Sequence, residues 1–514
     1  MIISMDDLIY IAPEITVAFF ACLILVLERS LSDLSKSVPS VRWISYILCQ
    51  LSLLIALFFT LRLINLPNKE LFNNTFIMDK VGNAIKIILY LYGLIAFTYA
   101  RKYVWERHIY AGEYFVLCLF SILGMMVLVS ARSFLTLYLG LELFALPLYA
   151  LIAMSTKEEK RAPEAAMKYF VMGAIASGML LYGISLLYGA TGSIEIASVA
   201  KALSSQAALE TTHVSQTAQT SHASQTAQTV LSMTHPSMPV LLGIVFVIIG
   251  LAFKFGAVPF HMWVPDIYQG SMTSVTLFIG SLPKLAAFGM AIRLLLDSFS
   301  SLYLEWQQLL VLMSILSLAI GNIVAIAQTN LKRMLAYSTI GHVGYMLLGL
   351  LAGPEAGYSA AFAYVIIYAL MALGAFGVII ALSHEGFEAE NIADFQGLGS
   401  SQPWVAFLLL LVLFSLAGIP PTLGFYAKFL VLDALVQAGY IWLAAVAVLF
   451  SVIGAYYYLR VIRVMFFEIP HEHHPHWQQV SGTNLAFLSC NGLLMLALGI
   501  YPTPIINYCL SVWG

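Results

Sequence analysis

Charge is what this chain has least of: of 514 residues only 10% are Asp, Glu, Lys or Arg, and 61% are apolar. A soluble chain carries about a quarter charged residues and is about half apolar, so this composition excludes water as the main solvent. The 24 Lys and Arg nearly balance 26 Asp and Glu, and no basic run offers the phosphate-neutralising stripe of a nucleic-acid binder. Five cysteines (Cys22, Cys49, Cys118, Cys490, Cys509) stand singly in apolar stretches without a CxxC. That argues against a disulfide framework or an iron–sulfur cluster, and no redox cofactor is expected on this chain. Neither GxxxxGKS/T nor a GxGxxG after a strand occurs, so no ATP or dinucleotide site is expected. The N-terminus lacks the basic region and cleavage site of a signal peptide, and the first apolar run is expected to stay in the mature chain.

What is abundant is apolar runs. A hydrocarbon core of ~30 Å takes about 20 helical residues to cross. Fourteen runs fit, at about 8–27, 43–61, 77–99, 113–131, 133–154, 166–190, 239–260, 271–292, 306–327, 335–352, 358–383, 404–436, 441–465 and 483–506. The expected fold is all-α, a polytopic membrane protein of about 14 transmembrane helices. Lys and Arg test the count, since they collect in cytoplasmic loops: starting outside, fourteen fall in alternate loops on one side, five on the other and five inside apolar runs. Both termini are therefore expected on the outer, periplasmic side.

Between 204 and 236 the near-duplicate nonapeptides 213–221 and 222–230 are polar and free of aromatics, and a flexible external insertion is expected there. The chain divides into a three-helix segment at 1–112, a first repeat at 113–296, a second at 305–468 and a last helix at 483–506.

The charges at depth carry the functional reading. Glu142 lies near the middle of the fifth run, where an ionised side chain costs on the order of 3 kcal/mol. Lys254, Lys284 and Lys428 pose the same problem in three other runs. One pair could be a structural ion pair; three lysines and a glutamate point to proton or ion conduction. Each lysine lies beside a helix breaker: Lys254 before Gly256 and Pro259, Lys284 after Pro283, Lys428 after Gly418, Pro420, Pro421 and Gly424. Unwound backbone at membrane depth must be buried in protein or line a wet cavity. Interrupted helices in the seventh and twelfth runs, five apart, suit two inverted five-helix repeats. Glu142 with Lys254 reads as a switch pair, Lys284 as the central relay and Lys428 as the terminal one.

Weaker candidates follow. Lys168 reads either as a snorkelling interface residue or as a second partner of Glu142. His261 and His342 titrate in a useful range, against the plainer reading of hydrogen-bonded packing. Asp79, Lys80 and Lys86 read as interfacial, and Glu14 and Asp433 as solvated or helix-packing acids. The tract His471-Glu-His473-His474-Pro-His476 has no second ligand cluster and reads as a solvated loop rather than a metal site.

The stretch Phe253-Lys254-Phe-Gly-Ala-Val-Pro259-Phe-His261-Met-Trp263-Val-Pro265-Asp266-Ile-Tyr268-Gln269-Gly270 resembles the signature of the antiporter-like subunits of bacterial respiratory complex I, in the form of its subunit N rather than its sisters L and M. Gln328 to Tyr345 and Ser415 to Phe429 support it, and the likeness spans the chain apart from 213–230. It implies fourteen helices in two inverted repeats, a place in the membrane arm beside other subunits in the bacterial inner membrane, and Glu142, Lys254, Lys284 and Lys428 as the family's charged residues of helices five, seven, eight and twelve. NADH, FMN, iron–sulfur clusters and quinone are implied on partner subunits, with none on this chain. Pro283 and Ser271-Met272 depart from the family pattern and bear on the shape of the eighth helix. The alternatives are a subunit of a Na⁺/H⁺ antiporter of the same fold, which the Tyr-Gln-Gly form argues against, and a scaffold with purely structural charges.

Overall fold

A computed structural model describes residues 5–37, 42–107, 109, 111–154, 161–205, 236–354, 356–469 and 479–513. The tandem at 213–230 and the His471–His476 tract lie outside the described residues. Helix dominates because in hydrocarbon each backbone N–H and C=O must find its partner within the segment. In order come α1 (Ala12–Ser37), α2 (Arg42–Leu63), a hairpin of β1 (Lys69–Leu71) and β2 (Phe76–Met78), α3 (Lys80–Glu106), α4 (Ala111–Val129), α5 (Phe134–Ala153), α6 (Ala162–Thr191), α7 (Met238–Phe255), the short α8 (Trp263–Gly270) and α9 (Thr273–Ala291). Then follow α10 (Tyr303–Ile326), α11 (Leu331–Leu351), α12 (Ala356–Leu382), α13 (Pro403–Ala417), α14 (Leu423–Gln437), α15 (Ile441–Phe467), α16 (Gly482–Ile500) and α17 (Thr503–Trp513).

Among the described residues twelve helices are long and apolar enough to cross a membrane. Of the two further runs expected from sequence, one corresponds to the 26-residue α1 and the other to the pair α13 and α14, each of 15 residues and so individually short of a full span. Pro283 leaves α9 intact, and the helix passes into a π-helical turn at Ile292–Leu296.

Two sets of hydrogen bonds recur. Ahead of α5, Phe134 N donates to Ile194 O (2.9 Å) and Ile196 N to Arg132 O (3.0 Å); ahead of α11, Leu331 N donates to Glu390 O (2.6 Å) and Ile392 N to Thr329 O (2.9 Å). The end of α7 closes with Gly256 N to Phe253 O and Ala257 N to Ala252 O, both 2.9 Å; the end of α13 closes with Gly418 N to Ser415 O (3.0 Å) and Ile419 N to Phe414 O (2.9 Å). Helix contacts recur too. A side chain at Gly124 or Gly140 would strike the backbone of the facing helix in the α4–α5 pair, and one at Gly321 would do so in the α10–α11 pair; small residues permit this close approach in lipid.

Ion pairs fasten the two ends. At one end Arg293 grips Asp79 (2.7 and 2.8 Å) and reaches Asp297 (3.1 Å), while Arg132 pairs with Glu70 (2.9 Å). At the other, Arg107 pairs with Glu388 (2.6 Å) and Lys332 with Glu390 (3.6 Å). Since α5 starts at the Arg132 end and α11 at the Lys332 end, the repeated motifs run in opposite senses. Lys86 corrects the reading as an interfacial residue: it is 2% exposed and pairs with Glu14 at 2.6 Å over the Phe76 ring. A carboxylate from α1 supplies the countercharge that lets it lie so deep.

Candidate proton-relay site

Two broken helices build the site. At each break the last helical carbonyl has no intrahelical donor, because the chain turns away through a left-handed glycine, Gly256 (φ +75°) or Gly418 (φ +82°). Such a carbonyl end is electronegative and attracts a cation. Lys284 on α9, 1% exposed, donates to Phe255 O at 2.7 Å. Lys428 on α14 donates to Ala417 O at 2.7 Å and to Ser451 Oγ at 2.9 Å. Phe255 and Ala417 each directly precede the glycine, so lysines from two different helices cap equivalent carbonyls.

Lys254, in the last turn of α7, is 5% exposed, and its Nζ has no hydrogen-bond partner; it lies 5.2 Å from the Phe144 ring centroid and 5.8 Å from that of Phe253. Glu142 on α5 is half-buried, and its Oε1 is likewise buried and unpartnered. Glu142 and Lys254 are not hydrogen-bonded to each other. Tyr149 Oη, two turns further along the same face of α5, is a third buried polar atom without a partner.

The remaining candidates are placed as follows. Lys168 pairs with Glu164 and Asp266, both at 2.8 Å, and not with Glu142. Asp266 also receives Arg333 at 2.8 Å, so α6, α8 and α11 meet at one carboxylate beside a cleft of about 80 Å³ lined by Arg161, Glu164, Lys168, Asp266, Gln269 and Arg333. His261 lies half-buried in the interruption between α7 and α8, with Nδ1 unpartnered. His342 is buried, with Nδ1 2.8 Å from Tyr364 Oη and Nε2 3.2 Å from Tyr458 Oη; Tyr458 in turn bonds Ser338. Among the described residues no group of three His, Cys, Asp or Glu is placed to hold a metal ion.

Sequence reasoning did not single out Asp266, Trp263 or Arg333. A signal for Asp266 was present: it stands seven residues past Pro259, as Lys428 stands seven past Pro421.

A family profile described as NADH:quinone oxidoreductase/Mrp antiporter, TM, matches residues 131–454. The NADH-quinone oxidoreductase subunit N of Thioalkalivibrio sulfidiphilus is 49% identical over 502 residues, covering 98% of this chain and 97% of its own. That of Thiobacillus denitrificans is 48% identical over 98% and 96%. The chain belongs to the NADH-quinone oxidoreductase subunit N family. Family membership carries the fold with it: a chain of respiratory complex I from Thermus thermophilus superposes with TM-score 0.77 at 29% identity, covering 98% of this chain and all of that one. A chain of the Mrp complex from Dietzia sp. DQ12-45-1b superposes with TM-score 0.78 at 19% identity over 98% and 97%, a likeness of fold alone. The chain is thus a multi-pass membrane protein of the antiporter-like fold.

Proposed function

We propose that this chain moves protons across the bacterial inner membrane as a subunit of NADH:quinone oxidoreductase, by way of Glu142, Lys254, Lys284 and Lys428. NADH, FMN, iron–sulfur clusters and quinone belong on this reading to partner subunits, where the electrons move. The observation that carries it is the placing of three lysines at the two helix breaks, two on equivalent carbonyls and one without a hydrogen-bond partner. Each is a side chain that hydrocarbon penalises.

The chemistry follows from the open pair. Bringing Glu142 to ~4 Å of Lys254 contributes about 4 kcal/mol at an effective dielectric near 20, which is about 3 pKa units. Closing the pair loads a proton on Lys254; opening it releases the proton toward Lys284. Lys428, with a serine hydroxyl beside it, passes the proton on. The two repeats at 113–296 and 305–468 each contribute a break, flanked by the segments 1–112 and 483–506. The alternation of Lys and Arg among the loops puts both termini on the periplasmic side. His261 and His342 serve as auxiliary polar groups, and Lys168 sets the charge at the mouth of the cleft.

Lys254→Ala and Glu142→Ala test the reading. With complex content verified by immunoblot, the initial rate of NADH-driven ΔpH formation in inverted membrane vesicles is expected to fall by about a hundredfold or more, the lower end of the range for losing one proton-transfer group. Normal pumping by an assembled variant overturns the relay.

A further inference from the structure

Lys254 and Lys284 must exchange a proton on the reading above, and a packed pair of aromatic rings has one of these amines against each of its members. Lys254 Nζ lies 5.8 Å from the Phe253 centroid. Phe253 packs on Trp263 at 5.5 Å, and Lys284 Nζ lies 5.3 Å from the Trp263 centroid. Lys254 thus lies against Phe253 and Lys284 against Trp263, and neither ring has a group that can accept and release a proton near neutral pH. Both rings are almost fully buried, Phe253 at 5% and Trp263 at 2% exposed. Lys284 spends a hydrogen bond on Phe255 O.

Trp263 is held in place from three directions. Its indole N–H donates to Phe253 O at 3.0 Å, which ties the ring to the end of α7. Its face stacks on Tyr169 of α6 at 4.8 Å. Its backbone belongs to the eight-residue helix α8, which Asp266 clamps to Lys168 and Arg333. On one side α8 is joined to α7 through Gly256 and the interruption, and on the other to α9 through Ser271 and Met272, so it continues neither long helix.

We propose that Trp263 is a positioning residue that, with Phe253, forms a dry gate between Lys254 and Lys284. With the rings in place the ring pair separates the amines. When α8 tilts, Trp263 leaves Phe253 and water joins the two sides. The ammonium of Lys254 then gives its proton to that water, and a water proton is delivered to the neutral amine of Lys284, leaving one neutral and one charged lysine as before. The gate gives direction to the relay, because a proton that has reached Lys284 cannot return once the rings close.

The inference rests on the relay reading and is tested in the assembled complex in inverted vesicles. Trp263→Ala opens the ring pair: NADH oxidation continues, fewer protons are pumped per NADH, and ΔpH decays about tenfold faster once NADH is consumed, the rate change that corresponds to ~1.4 kcal/mol off a barrier. Trp263→Phe restores a ring and is expected to hold the gradient nearly as long as the parent. Adding Lys254→Ala to Trp263→Ala removes the proton donor and is expected to abolish the leak, which a general loosening of the fold would not do. A Trp263→Ala complex that holds its gradient, or one in which oxidation and pumping fall in equal proportion, overturns the gate. Where Trp263→Ala prevents assembly, Phe253→Ala probes the other ring of the pair, with the same leak expected and a tight gradient overturning it. If Lys254→Ala alone pumps normally, the relay reading fails; if it does not pump and Trp263→Ala is tight, only the gate fails.

Discussion

Lys284 and Lys428 reach equivalent carbonyls from different helices, which implies that the break demands an amine at that spot rather than a particular element to deliver it. A helix end bears roughly half a negative charge on its unpaired carbonyls, so a cation there needs no carboxylate partner and stays free to exchange its proton. Arginine would satisfy the carbonyl as well, yet a guanidinium does not give up its proton at any physiological pH. Lys428→Arg is therefore expected to assemble and to retain NADH oxidation in uncoupled membranes while the rate of ΔpH formation falls by about a hundredfold or more. The packing is tight, since a Cβ on Gly418 would lie 2.8 Å from Lys428 Cδ, so complex content is measured alongside. Full pumping by the assembled variant would show that Lys428 acts as a fixed charge. The residues themselves were legible in the sequence, because a lysine in hydrocarbon needs a reason and the chain has so few. Their partners were not: Phe255 and Ala417 act through backbone oxygen, which no residue letter records.

At the scale of the element, the breaks depend on glycines in the left-handed region. Any side chain at Gly256 or Gly418 costs about 1 kcal/mol of backbone strain, and each has a neighbour in the way: Val264 Cγ2 at 2.6 Å from the Cβ position of Gly256, Lys428 Cδ at 2.8 Å from that of Gly418. Gly192, at the end of α6 with φ +71°, has nothing within 4 Å. Gly192→Ala is thus expected to show the strain alone, a small drop in the melting temperature of the purified complex with normal pumping. Gly418→Ala is expected to show the same strain and, by displacing Lys428, a loss of pumping. Equal pumping in the two variants would mean that the lysine tolerates the shift. Proline and glycine beside each lysine made the interruptions readable in the sequence. The clamp on α8 was not readable, because Lys168 and Arg333 stand 98 and 67 residues from Asp266, and only the packing of α6 and α11 beside α8 brings them to one carboxylate. For the same reason Lys168 could not be assigned between Glu142 and its actual partners from spacing alone.

For the whole molecule, apolar run length fixes which segments enter the membrane, while the few charges left at the ends hold the bundle in one arrangement. The sequence shows the first clearly and hides the second: Asp79 and Lys86 lie close together near the start of α3 and look alike in exposure, yet one caps α3 and grips Arg293 while the other is buried against Glu14. Asp79 joins α3 to the end of α9, more than 200 residues away, and Arg293 also donates to Val129 O at 2.9 Å, so this contact ties α3, α4 and α9 together. Burial alone would push the Asp79 carboxyl up, but the charge and two hydrogen bonds of Arg293 outweigh it and hold the carboxyl below its ordinary value. A carboxylate that is more acidic in the folded state stabilises that state fully above the unfolded pKa, about 3.9, and loses this contribution as pH falls through the lower folded value. Asp79→Asn is accordingly expected to destabilise the complex at neutral pH by ~1–3 kcal/mol, the range for a lost charge-assisted bond with the arginine still held by Asp297. The gap between parent and variant should close in acid, as the parent's own carboxylate takes up its proton. Melting curves of the detergent-purified complexes between pH 7 and pH 3 check this: a gap that stays constant across that range would mean that Asp79 contributes by shape and not by charge.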